Sequence, residues 1–304
     1  MFFSAAFKAR ARAALKQHWQ TALLIALIVN LPSLLVQGVA AFTNNDPMTR
    51  VQDLLIRAYS SQEAMNALQD NILKLFSETG ILVMTGLMVL VWLFTPVLAI
   101  GMNHWMLDRI RGKEGPVTTV FSRLNILPKS IGLRLFLVWK IFLWTLPGLA
   151  VSLLSLIPTL NARGKAGTEL ASAAAWSMNL MYFGMMVMLV LGIMGYLYYA
   201  QADFILADEP EERVLSCARR SREMMKGRRL MLMTLLLSFA LLFLLIAFAS
   251  AAIEGMTGTV VALVIQMLGS LFLSVYMLAT EAVFYEALRV VPAQQMMEEN
   301  NLEI

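Results

Sequence analysis

The sequence predicts an all-α fold, a polytopic helical membrane bundle of six transmembrane helices plus amphipathic interfacial helices, and three observations carry that prediction. Of 304 residues, 59% are hydrophobic and only 14% charged, with mean hydropathy +0.69, whereas soluble domains run at roughly 25% charged. The apolar residues gather into six runs, each near the ~20 residues that a helix needs to cross the hydrocarbon core. Lysine and arginine concentrate in alternate connectors between those runs, the asymmetry that orients membrane helices. Because lipid offers the backbone no hydrogen-bond partner, such runs must satisfy themselves as helices.

The first run, residues 21–42, follows an amphipathic basic segment carrying Lys8, Arg10, Arg12 and Lys16. Its length exceeds the roughly 7 to 15 residues of a cleaved signal core, so it reads as an uncleaved first helix. Residues 43–79 turn polar, with Val51, Leu54, Leu55 and Ala58, then Met65, Leu68 and Ile72 at helical spacing. This reads as an outer amphipathic segment, one or two helices lying against the outer membrane face or the bundle. The second run, 80–105, is interrupted by Pro96, which removes a backbone donor and kinks the helix. The third, 135–160, contains Pro147 and Pro158. The fourth, 173–202, is rich in methionine and ends in Tyr196, Tyr198 and Tyr199. The fifth and sixth, 230–253 and 257–288, flank a tight turn over 254–258.

Between the fourth and fifth runs lies the most charged segment. A cytoplasmic helix is expected over 208–227, with Asp208 as N-cap, Pro210 in the first turn and Gly227 at the end. Of the 24 lysines and arginines, 19 fall in the N-terminal segment, the second and fourth connectors and the C-terminus. The positive-inside rule then places both termini in the cytoplasm, in agreement with six crossings.

The formal charge of +4 comes from residues beside apolar runs, so membrane lipid headgroups rather than nucleic acid are the expected partner. A single cysteine, Cys217, excludes an intramolecular disulfide. It reads as a reduced structural residue, although neighbouring arginines would favour a reactive thiolate. Thioethers suit Cu(I), but no dense Met-x-Met or cysteine-rich set accompanies the methionines, and no metal is expected. With no H-E-x-x-H, G-x-S-x-G or P-loop, and only His18 and His104, the chain reads as non-catalytic and without cofactor.

Glu281 is the most informative polar residue. It lies inside the last run, eight residues before Arg289, hence roughly 12 Å deep at 1.5 Å per residue. A carboxylate at mid-membrane costs about 2.5 to 3.5 kcal/mol on insertion scales and so faces partners rather than lipid. Gln266, Ser270, Ser274, Glu281 and Tyr285 share one helix face, which either lines a cavity for an ion or ligand or makes interhelical hydrogen bonds. Lys140 either snorkels to the headgroups or pairs with Glu281. Arg219, Arg220, Arg222, Arg228 and Arg229 either hold lipid headgroups and enforce topology or recruit a phosphate-bearing or protein partner. Two functions are therefore expected: binding or passing a small or lipidic ligand along an internal polar face, or serving as a scaffold or regulatory subunit for another envelope protein. Either admits a protein partner or a homo-oligomer.

Four stretches, RARAALKQHW at 10–19, LDRIRGKE at 107–114, ADEP at 207–210 and MMKGRRLMLMTLLLS at 224–238, resemble a widespread bacterial family of integral membrane proteins of unknown function. TEAVFYEAL at 280–288 is similar to that family's last helix. The resemblance implies a multi-span protein of the bacterial inner membrane and supplies no functional residue. A weaker similarity in layout to membrane domains attached to glycerophosphodiester phosphodiesterases implies a lipid-facing support role.

Overall fold

The computed structural model describes residues 2–43, 79–161 and 168–290. Nearly all of the outer amphipathic segment 43–79, the connector bearing Arg163 and Lys165, and the acidic tail lie outside the described residues. Among the described residues there are ten α-helices, one 3-10 segment and no strand. Six stretches are long and apolar enough to cross a membrane: Trp19–Val36, Gly80–Ile110, Val117–Pro158, Ala175–Asp208, Arg229–Ile253 and Val264–Arg289. Their apolar side chains point outward as well as inward. Trp176 is 71% exposed and Phe248 66%, an arrangement that only a hydrocarbon solvent makes stable.

The chain divides into two compact units, Ala14–Leu127 and the remainder. The smaller one contains α2 (Trp19–Thr43), α3 (Thr79–Ile110) and the 3-10 segment Val117–Ile126. Pro96 sits inside α3, which continues through it. Gly101 lets the segment's backbone lie directly on α3, because a Cβ there would collide with the Val120 carbonyl. The helix ends at a Schellman motif: Gly112 takes φ 74, its N–H donates to the Arg109 carbonyl (3.0 Å), and the Lys113 N–H reaches back to that of Asp108 (2.8 Å). Only a residue free to adopt positive φ closes a helix this way.

The larger unit begins with most of α1 (Phe2–Leu15) and continues with α4 (Leu127–Leu154), α5 (Leu156–Asn161), α6 (Thr168–Tyr199), α7 (Ala202–Asp208), α8 (Val214–Met224), α9 (Arg229–Thr257) and α10 (Thr259–Val290). The basic N-terminal helix is tied down on α10. Phe7 meets Phe284 edge-on at 5.6 Å, the Tyr276 hydroxyl donates to the Lys8 carbonyl (3.2 Å), and the Lys8 ammonium lies 4.6 Å from the Phe239 ring centre. Burial, then the Arg12 charge, lowers the Lys8 pKa from its ordinary value. Helices α4 and α6 approach closely through Gly148 and Gly184, whose missing Cβ atoms leave room for Met188 and Ser152. Gly258, at φ 92, joins α9 to α10.

Three boundaries differ from the sequence expectation. The third apolar helix starts at Leu127 rather than 135, because Ser130 and Leu133 are buried and carry its packed face toward the helix start. It breaks after Leu154, where the Ser155 hydroxyl and N–H both turn to the Ser152 carbonyl (2.6 and 3.3 Å). Pro158, which can donate no helical hydrogen bond, falls in the short α5 beyond the break. The charged helix expected over 208–227 covers only Val214–Met224. Asp208 is not its N-cap but the last residue of α7, because its carboxylate is engaged by Tyr285 and Arg289 on α10 (3.2 and 3.4 Å). The charged helix is capped at Met225, and Gly227, at φ 76, lies beyond it in the turn that leads to α9.

Candidate functional site

The arginine-rich segment folds into a concave basic site. On α8, Arg219, Arg222, Glu223 and Lys226 recur at intervals of three and four residues, so they share one side, Lys226 lying just past the helix end. The opposite side of α8 is buried through Cys217, Ala218, Ser221 and Met224. Ser221 fixes the helix to the end of α6: its hydroxyl donates to the Tyr198 carbonyl (3.3 Å) and accepts the Gln201 N–H (3.2 Å). The exposed cations are thereby held around a pocket of about 350 Å³, lined by Tyr198, Arg219, Arg222, Glu223, Lys226 and Arg229.

Tyr198 is the floor of that pocket. The Arg229 guanidinium, from the start of α9, lies 3.6 Å from its ring centre, and Arg222 lies 5.7 Å away. Trp144 on α4 stacks on the same ring at 5.2 Å and 28°. Four cations and a single carboxylate face one cavity. Guanidinium forks match phosphate oxygens two at a time, and aromatic contact orients them without neutralising their charge.

Of the five arginines singled out by sequence, Arg219, Arg222 and Arg229 are brought together here. Arg220 is spent elsewhere: it donates to Glu209 at 2.6 Å, and that hydrogen bond raises its pKa further above the ordinary arginine value. Arg228 sits in the turn before α9, where its N–H meets the Met225 carbonyl (3.2 Å), outside the pocket lining. Lys226 and Tyr198 had no place among the sequence candidates. The i, i+7 spacing from Arg219 to Lys226 was the available signal for the lysine; nothing in sequence linked Tyr198 to residues more than twenty positions away. Cys217 is fully buried, and burial followed by the nearby Glu212 charge pushes its thiol up to about 11.

The polar stripe on α10 is largely satisfied inside the protein. The Ser250 hydroxyl of α9 donates to Gln266 (2.8 Å). Ser270 and Ser274 donate to the Met267 and Leu271 carbonyls of their own helix (3.0 and 2.8 Å). Tyr285 is buried, stacked on Phe204 at 5.7 Å, and donates to Asp208. Glu281 differs: its Oε1 is shut off from solvent and has no hydrogen-bond partner. Asp203 on α7 and Tyr196 on α6 lie within electrostatic reach of it. The cation that interacts with Asp203 and Tyr196 is Arg134, whereas the Lys140 ammonium stands 5.5 Å over the Phe136 ring one turn back on its own helix.

Among the described residues no group of three or more His, Cys, Asp or Glu could hold a metal ion. No curated protein and no solved structure matches the chain. A family model described as a protein of unknown function, DUF975, matches residues 1–291, which takes in all six apolar helices, the ADEP turn and the basic pocket. The chain belongs to the DUF975 family.

Proposed function

We propose that the protein is a non-catalytic component of the bacterial inner membrane, with both termini cytoplasmic, that holds the phosphate of an anionic lipid headgroup in the basic pocket between α6, α8 and α9. The observation that carries the reading is the convergence of Arg219, Arg222, Lys226 and Arg229 on one cavity faced by a single carboxylate. The pocket lies where a span ends at Asp208 and the next begins at Arg229, the depth of lipid headgroups. Each basic residue near an anionic leaflet contributes about 1 kcal/mol, and a shaped pocket adds geometry to that attraction. In nanodiscs, phosphatidylglycerol is expected to stabilise the protein against heat more than phosphatidylcholine does. The double change Arg219→Gln, Arg222→Gln, which leaves the Arg229–Tyr198 contact in place, is expected to remove most of that difference. An unchanged difference overturns the reading, and loss of a copurifying protein in its place would identify the scaffold function.

A second reading rests on Glu281. A buried carboxylate oxygen without a partner, near Asp203, is what an internal path for an ion or small ligand would contain. In proteoliposomes, Glu281→Gln is expected to abolish any flux the parent supports. Equal flux from both proteins removes the carboxylate from consideration.

A further inference from the structure

Among its described residues, the smaller unit leaves the charge of one buried arginine unneutralised. Arg109, in the last turn of α3, is only 7% exposed. Its Nη2 donates to the Gly115 carbonyl at 2.6 Å, and its guanidinium lies 5.0 Å from the ring of Trp105. The indole N–H of that tryptophan shares the same carbonyl at 3.4 Å. The Arg109 Nε–H is buried without an acceptor, and among the described residues no carboxylate forms an ion pair with this side chain. A guanidinium cannot shed its proton. One carbonyl and one ring orient it but supply no opposite charge, and a buried cation in that state calls for an anion.

A pocket of about 390 Å³ opens beside it, lined by His18, Thr21, Arg109, Glu114, Gly115 and Pro116. Its walls carry the donors that an oxyanion needs: a guanidinium, a threonine hydroxyl and an imidazole. Glu114 is the exception; it lies on the exposed stretch after the helix end and opposes an anion. The position matters as much as the chemistry. One span starts at Trp19 and another ends at Ile110, so the pocket lies at the boundary where membrane helices meet water. Trp19, at the start of its span, marks that level, as tryptophans do at membrane interfaces. Phosphate is the abundant anion there.

We propose that the pocket formed by His18, Thr21 and Arg109 in the smaller unit binds a phosphate group, with Arg109 supplying the charge and Thr21 a hydrogen bond. The site shares no residue with the basic pocket of the larger unit and stands whether or not that pocket holds lipid. Phosphate on a lipid and phosphate in solution offer the same oxygens, and the measurement separates them.

The test uses the full chain carrying Arg219→Gln and Arg222→Gln, so that the other pocket does not contribute. Thermal stability is followed with inorganic phosphate against chloride at matched ionic strength, and separately in nanodiscs of phosphatidylglycerol against phosphatidylcholine. Protection by inorganic phosphate assigns the site to a soluble phosphate; protection by phosphatidylglycerol alone assigns it to a headgroup. In either case Arg109→Lys, which keeps the charge but loses the fork, is expected to weaken binding about tenfold. Thr21→Val, which leaves the buried guanidinium intact and so tests the site even if the lysine variant folds poorly, is expected to weaken it about threefold to tenfold. Glu114→Gln is expected to strengthen it severalfold. No protection by either probe, or protection that Thr21→Val and Arg109→Lys leave unchanged, overturns the proposal. So does a Glu114→Gln protein that loses binding, because the carboxylate would then be helping to hold the site together.

Discussion

Cys217 stands among four arginines between positions 213 and 222, yet its thiol is less acidic than a free one. Arg219 and Arg222 project to the outer side of α8 and Arg220 is paired with Glu209, while the sulfur lies on the buried side, so desolvation, with Glu212 adding to it, outweighs the arginines' attraction and holds the thiol at about 11. The thiolate is the form that reacts. Alkylation of the folded protein by iodoacetamide at pH 8 is therefore expected to run on the order of tenfold or more slower than in the denatured chain. Equal rates would show an accessible, acidic cysteine. The same raised value fixes the sign of a pH effect: the buried neutral thiol supports the fold below the unfolded-chain value near 9, and that support is lost as pH rises toward about 11. Glu281 shows the converse limit of reading single residues. Its depth and cost were visible in the sequence, but its neighbours were not: Asp203 and Tyr196 come from two other helices, Arg134 reaches those two from a third, and only packing brings them together.

At the scale of elements, the α4–α6 contact depends on what glycine omits. A Cβ on Gly184 would lie against the backbone of Ser152, and one on Gly148 against that of Met188. Backbone cannot swing aside as a flexible side chain can, so the two helices would have to move apart. Close approach of this kind is how membrane helices gain packing when lipid is as apolar as they are. Gly184→Ala is expected to destabilise the protein by about 1 to 3 kcal/mol, read as a fall in detergent-solubilised melting temperature. Gly86, with nothing near its Cβ position, is the control, and Gly86→Ala is expected to be neutral or slightly stabilising. If both changes behave alike, the crossing is not a tight one. The misplaced start of the charged helix has an elemental cause too. Asp208 has the composition of an N-cap, but α10 offers its carboxylate two donors at once, Tyr285 and Arg289, and a tertiary bond outcompetes a local cap.

For the whole molecule, the alternation of apolar runs with basic connectors carries an orientation. Reporter fusions or cysteine labelling at residues 1 and 304 are expected to place both ends on the cytoplasmic side, and a reporter in the 163–165 connector on the other. Ends on opposite sides would contradict an even number of crossings. Six apolar helices were legible because hydrocarbon imposes a simple demand on composition and length, one that each segment meets independently of its neighbours. The break at Ser155 was not, since it turns on which carbonyl a serine selects.

What the sequence by itself determined is the solvent of this chain: the hydropathy, the run lengths and the confinement of lysine and arginine required a multi-span helical protein whatever its detailed packing. What only the tertiary structure decided is which charges act together. Arg219 and Arg222 share a pocket with Lys226, Arg229 and Tyr198, Arg220 does not, and Arg109 has no counter-ion among the described residues. The physical reason is that burial in lipid depends on each segment's own composition, whereas electrostatic partnership depends on distances between segments, and those exist only once the helices have packed.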